Sequence, residues 1–152
     1  MLCIMYGDWM VNAAVVGATF LCVALCVLLH YEGLLLTTRG LARLGGRRRV
    51  KVLYGIGSVL LLHAIEIWIF GMLLWLLLQW PETGSVGPDA NHIFDLVYFS
   101  ATTYTTAGYG DLVATGPIRF LAGTESLVGF VLITWSASFT YMEMERFWRG
   151  SH

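Results

Sequence analysis

Three long apolar stretches alternate with short polar ones along the chain. Residues 13–29 form the first, 17 residues interrupted only by Gly17 and Thr19, and it can extend through His30 and Tyr31 to Leu36. The second, residues 52–80, is 29 residues long, with His63 and Glu66 as its only imidazole and carboxylate. The third, residues 120–142, is 23 residues long and carries Glu125 near its start. A bilayer core about 30 Å thick takes roughly 20 residues of apolar helix, so each stretch is expected to span, the second with tilt or protrusion. The pattern thus predicts an all-α membrane protein. Residues 93–104 are also fairly apolar, but 12 residues cannot cross and suit a re-entrant helix. Irregular backbone at membrane depth survives only where protein buries it or it lines a water-filled cavity. A short helix with a Gly-rich tail between two spans therefore points to a pore or cavity.

Composition agrees. Of 152 residues, 57% are hydrophobic and 12% charged, about half the charge of a soluble domain, and mean hydropathy is +0.70. A soluble domain and a disordered chain are both excluded, and the length bounds the chain to one domain. The net charge of −1 gives no reason to expect nucleic acid as a partner. The placement of charge is more informative. Arg39, Arg43, Arg47, Arg48, Arg49 and Lys51 lie between the first two spans, and Arg146 and Arg149 follow the third. The opposite side has only Arg119, against Asp8, Glu82, Asp89, Asp95 and Asp111. The positive-inside rule puts the Arg-rich loop and the C-terminus in the cytoplasm and the N-terminus outside. Residues 1–12 lack the basic n-region of a secretory signal, so the first span is expected to be retained. Cys3, Cys22 and Cys26 are odd in number and imply no disulfide framework.

The re-entrant segment carries the chemistry. Asp89 or Asn91 can cap a helix over residues 91–104. The helix runs into Thr105-Thr106-Ala107-Gly108-Tyr109-Gly110-Asp111. Glycine accepts positive φ freely, so Gly108 and Gly110 allow φ to alternate in sign and successive carbonyls to point one way. Four such strands around an axis form a ladder of oxygens that replaces a cation's hydration shell. The preceding helix directs the partial negative charge of its C-terminus to the same place.

This seven-residue run resembles the Thr-Thr-Val-Gly-Tyr-Gly-Asp filter of tetrameric potassium channels at six positions, in the same order of outer helix, pore helix, filter and inner helix. The resemblance covers roughly residues 52–145. It implies an N-terminal part, residues 1–51, with one extra transmembrane helix and a basic loop. A pore domain, residues 52–152, would follow, with outer helix 52–80, pore helix 91–104, filter 105–111 and inner helix 118–145. By the same resemblance K+ is the permeant ion, held at Thr106, Ala107, Gly108 and Tyr109, with Gly110 at the outer mouth. Thr102, Thr105, Asp111, Tyr98 and Phe99 would support the filter, the Tyr109 ring packing on Tyr98 and Phe99. Ala107 stands where the family has a β-branched residue, which leaves the degree of selectivity open. A hydrogen bond from Thr102 or Tyr98 to Asp111 is expected, since Thr102 occupies a position where some members carry a carboxylate.

One chain supplies one strand, so the function requires a homotetramer in the bilayer. Gly129 near the middle of the third span has two readings, a gating hinge or a site of close packing. The run of Thr134, Ser136, Ala137, Ser138 and Thr140 is small and largely polar, and some of these residues are expected to line the cytoplasmic half of the pore. His63 and Glu66 share a helical face; they read as a proton- or metal-sensitive gate, or, preferably, as a buried contact locking the outer helix to its neighbours. Glu125 is read the same way. Arg47, Arg48, Arg49 and Lys51 set topology and can attract anionic lipid headgroups. The first span has no regular Arg array and so is not a voltage sensor of the usual kind. With no sequence beyond residue 152, no attached ligand-binding domain is expected.

Three other readings compete. A weakly selective cation channel is the nearest. An intramembrane aspartyl protease shares Gly-x-Gly-Asp at Gly108–Asp111 but needs a second intramembrane aspartate, and Asp8, Asp89 and Asp95 lie outside the spans. A membrane scaffold explains the spans and leaves the filter motif unexplained. No covalent chemistry, hence no enzyme, is expected.

Overall fold

The computed structural model describes residues 8–44, 48–88, 90 and 92–149. Arg47, Asp89, Asn91 and Cys3 lie outside the described residues. The described residues form four α-helices: α1 (Trp9–Arg43), α2 (Arg48–Leu77), α3 (Ile93–Tyr104) and α4 (Arg119–Arg149). Three of them, α1, α2 and α4, are long and apolar enough to cross a membrane.

Helices α1 and α4 outrun, at both ends, the apolar stretches that predicted them. At 1.5 Å per residue, the 35 residues of α1 extend about 52 Å, well beyond a bilayer core. Its start is fixed by Asp8, whose carboxylate accepts the Met10 N–H at 2.9 Å. The expected basic loop is largely helical: Arg39 and Arg43 ride the end of α1, and Arg48, Arg49 and Lys51 the first turn of α2. The second helix stops at Leu77, three residues short of the apolar run. A 3-10 turn over Pro81–Thr83 follows, and the Thr83 hydroxyl lies 2.8 Å from the Leu77 carbonyl and 2.7 Å from that of Trp80. Each of these carbonyls also accepts a backbone N–H, Leu77 O from Trp80 and Trp80 O from Thr83, both at 3.1 Å.

Helix α3, over the segment expected to be re-entrant, begins at Ile93, and its cap corrects the expectation of Asp89 or Asn91. His92 is the N-cap: its ring nitrogen accepts from Phe94 N–H, while Asp95 accepts from the His92 N–H, both at 3.3 Å. A two-stranded antiparallel pair, β1 (Ser85–Val86) and β2 (Ala114–Thr115), was not expected from sequence. It matches Ser85 to Thr115 and Val86 to Ala114, and ties the loop before α3 to the loop after it.

The core lies where α3 enters between α2 and α4. Phe70, Leu74, Leu96, Ile118, Leu121 and Leu132 are fully buried there. Gly71 lets α3 in: a Cβ at that position would lie 3.0 Å from the Val97 backbone. In lipid, apolar burial drives helix association weakly, so close packing and polar contacts decide it. The Asp8 end of α1 lies beside Trp80, Glu82 and Thr83. At the other end Leu41 and Lys51 lie beside Thr140 and Glu143. Most described basic residues therefore share the end opposite the 78–118 segment.

Candidate functional site

Three amides of the segment from Thr105 to Asp111 bond back to the end of α3. Thr105 N–H bonds Ala101 O (3.1 Å), Thr106 N–H bonds Thr103 O (2.9 Å) and Gly108 N–H bonds Thr102 O (3.0 Å). Amide hydrogens are thus turned back onto the helix end. Thr106, Gly108 and Gly110 have φ of +59°, +51° and +81°, while Ala107 and Tyr109 keep negative φ. The sign alternates over five residues, the backbone form anticipated from the two glycines. Thr106 is a β-branched residue in the left-handed region, a strained position of the kind concentrated at functional sites.

All seven residues 105–111 are exposed in the single chain. Tyr109 is 74% exposed; within one chain its ring does not pack on Tyr98 and Phe99 as expected. Phe99 is buried in the core. Tyr98 instead donates its hydroxyl to Asp111 Oδ2 at 2.8 Å, which raises the phenol above its ordinary range. Of the two donors considered for Asp111, Tyr98 is the one used: the Thr102 hydroxyl bonds Phe99 O (3.0 Å). The Thr105 hydroxyl bonds Ala101 O (2.7 Å). A cleft of about 210 Å³ opens behind the segment, lined by Phe99, Thr103, Gly108, Val113 and Ala122 among others.

Two buried carboxylates fix the helices that hold this segment. Glu66 of α2 is fully buried and lies among three partners. His30 Nδ1 of α1 is 2.8 Å from Oε1, His63 Nδ1 is 3.0 Å from Oε2, and the Tyr104 hydroxyl donates to Oε2 at 2.5 Å. His63 Nδ1 also lies 2.9 Å from the Tyr104 hydroxyl. His30 Nε2 meets Ser136 Oγ of α4 at 3.2 Å. With Glu66 ionised, both rings present Nδ1–H to it, and Ser136 donates to the free His30 nitrogen. Every helix then contributes, and Tyr104, the last residue of α3, roots the 105–111 segment in the network. The second carboxylate, Glu125 of α4, is also fully buried. Its Oε1 makes a short contact with the Ser100 hydroxyl, which lies 2.9 Å from Ile67 O.

Sequence reasoning placed His63 and Glu66 together but missed His30, Tyr104 and Ser100. A lone imidazole in one span and a lone carboxylate in the next was the available signal, since each is costly in a membrane unless paired. Of the small residues in this run, Ser136 is 3% exposed and bonded to His30, so it faces α1 and is not among those available to a pore. Thr134, Ala137 and Ser138 are exposed and Thr140 half-buried. Gly129 lies against the end of α3, where a Cβ would meet the carbonyl of Tyr104. That contact supplies a packing reason for the glycine.

A family model for ion channels matches residues 58–146, more than half of the chain. The match covers α3, the 105–111 segment and most of α2 and α4, and leaves α1 outside. Among curated proteins and among solved structures nothing matches.

Proposed function

Because the chain belongs to the ion channel family and is a multi-pass membrane protein that is not an enzyme, we propose that it conducts potassium ions passively as a homotetramer, through a central filter built from residues 105–111. The observation that carries this reading is the alternating backbone: positive φ at Thr106, Gly108 and Gly110 with negative φ between them. Four copies around an axis turn that alternation into stacked rings of carbonyl oxygens, from Thr106 to Tyr109. A potassium ion exchanges water for these oxygens and advances as the next ion pushes from behind. Dehydration is the selective step, because the rings must reproduce the energy of the lost shell.

The tetramer also accounts for what one chain leaves bare. The exposed Tyr109 ring and the cleft beside Phe99 and Val113 are complementary features for adjacent copies. Leu127, Phe130 and Val131 of α4 are exposed as well and need lipid or a partner. Ala107 removes two methyl groups from behind the oxygens, which is the residue-level argument for weaker selectivity as the second reading. The Arg-rich end, with Arg48 and Arg49 exposed, faces the cytoplasm in this account and attracts anionic headgroups.

Reconstituted in potassium-loaded vesicles, the protein is expected to take up rubidium, the larger alkali ion nearest potassium, and to exclude sodium. Chemical cross-linking should stop at four chains. Equal uptake of the two ions would favour the weakly selective reading, and no uptake would end the proposal.

Asp111 gives a sharper test of the filter's support. Tyr98→Phe removes the hydroxyl that donates to its carboxylate. A hydrogen bond to a charged group contributes about 1.5–3 kcal/mol at most, and less at this exposed site. The filter should survive but conduct less steadily, so single-channel bursts shorten severalfold. Unchanged burst length would show that Asp111 is held without Tyr98.

A further inference from the structure

We propose that His30, His63 and Glu66 form a binding site for one divalent transition-metal ion of the zinc class in each chain. The site is independent of which ion the pore conducts. His30 also lies outside the residues that match the family, so the site includes a ligand from the extra helix α1.

The three side chains offer one ligand atom each, all within 4.8 Å of one another. Two imidazole nitrogens and one carboxylate oxygen are a donor set that suits zinc; calcium and magnesium take oxygen alone. Tetrahedral zinc with bonds of about 2.0–2.1 Å sets neighbouring ligand atoms about 3.4 Å apart. The two Nδ1 atoms now stand 2.8 and 3.0 Å from the Glu66 oxygens. Those two contacts, one to each Glu66 oxygen, must lengthen by about half an ångström, and the wider separations within the 4.8 Å set must close toward the same spacing.

The surroundings are those a metal site uses. Ligand histidines characteristically engage their second ring nitrogen, and ligand carboxylates are held by further hydrogen bonds. His30 Nε2 already rests on Ser136 Oγ at 3.2 Å, and Glu66 already accepts from Tyr104. The proton count closes without loss. As Nδ1 of each neutral ring turns to the metal, its proton moves to Nε2. The Ser136 hydroxyl then turns from donor to acceptor toward His30. Glu66 and His30 are fully buried, while 13% of the His63 side chain is exposed in the single chain. The bound ion would clamp α1 to α2 beside Tyr104, at the root of the filter.

The test uses the full, untagged chain in detergent, stripped with chelator and titrated with Zn2+ alone. Wild type should bind about one zinc per chain and unfold at a higher temperature with zinc than with chelator. X-ray absorption should report two imidazoles with oxygen and no sulfur. His30→Gln, His63→Gln and Glu66→Gln should each weaken binding at least tenfold and lose the zinc-dependent thermal shift. Ser136→Ala should weaken it about tenfold, and His92→Gln, at the α3 cap, should leave it unchanged. Absence of stoichiometric zinc in wild type would overturn the proposal, whatever the variants do. So would a sulfur shell from Cys22 and Cys26, or unchanged affinity in His63→Gln.

Discussion

Gly108→Ala is expected to abolish potassium current while the protein still reaches the membrane. A Cβ at Gly108 meets nothing within 4 Å in the chain, so crowding is not the reason. The reason is the backbone: φ is +51°, and the left-handed region costs a residue with a Cβ roughly 1–2 kcal/mol. A tetramer incurs that cost four times around one axis, about 4–8 kcal/mol in all. Relaxing φ to negative values would turn a ring of carbonyls away from the axis and release the Gly108 N–H from Thr102 O. Either way the occupied filter is lost, and current should fall on the order of a thousandfold. The check is paired, surface labelling for delivery and macroscopic current for function. Normal current with normal delivery would show that the left-handed backbone at 108 is dispensable.

Gly129→Ala should have the second largest effect, and it separates two accounts of this glycine. An alanine Cβ would lie 2.8 Å from the Tyr104 carbonyl carbon and 2.9 Å from the base of its ring, and would collide with the carbonyl oxygen. Backbone cannot yield as a flexible side chain can. Overpacking of this kind costs typically 1–3 kcal/mol per site. It also strikes the residue whose hydroxyl rests on Glu66. The packing account predicts a lower unfolding temperature in detergent, a smaller tetramer fraction and reduced current together. A hinge predicts an intact, equally stable tetramer that opens less often. Thermal melts and single-channel recordings on the same preparation distinguish them, and unchanged stability would remove the packing account.

The three spans were legible because apolar runs of 17–29 residues leave little else for the chain to do. Their ends were not, since ends depend on single capping contacts. Thr83 closing the carbonyls after α2 and His92 opening α3 give no hydropathy signal, and an imidazole is an uncommon cap. The β1–β2 pair is too short for any period to register. At the candidate site the Gly-x-Gly spacing announced the alternating backbone in advance. The support around it was only half visible. His63 and Glu66 stand three apart and meet by helical geometry, but the partners His30 and Tyr104 are 36 and 38 positions away from Glu66. Such pairings are set by how helices pack. Which of the small residues 134–140 face a pore was open for a different reason. Size does not separate Ser136 from Thr134 and Ser138, whereas a residue two positions along a helix faces nearly the opposite side.

Reversal potential under opposed gradients tests the central claim most directly. With purified protein in a planar bilayer, potassium on one side and sodium at equal concentration on the other, current should reverse far from zero, toward the potassium equilibrium. Each tenfold preference moves that point by about 59 mV, so a shift of that size or more is the predicted result. A reversal near zero would contradict the potassium-selective account.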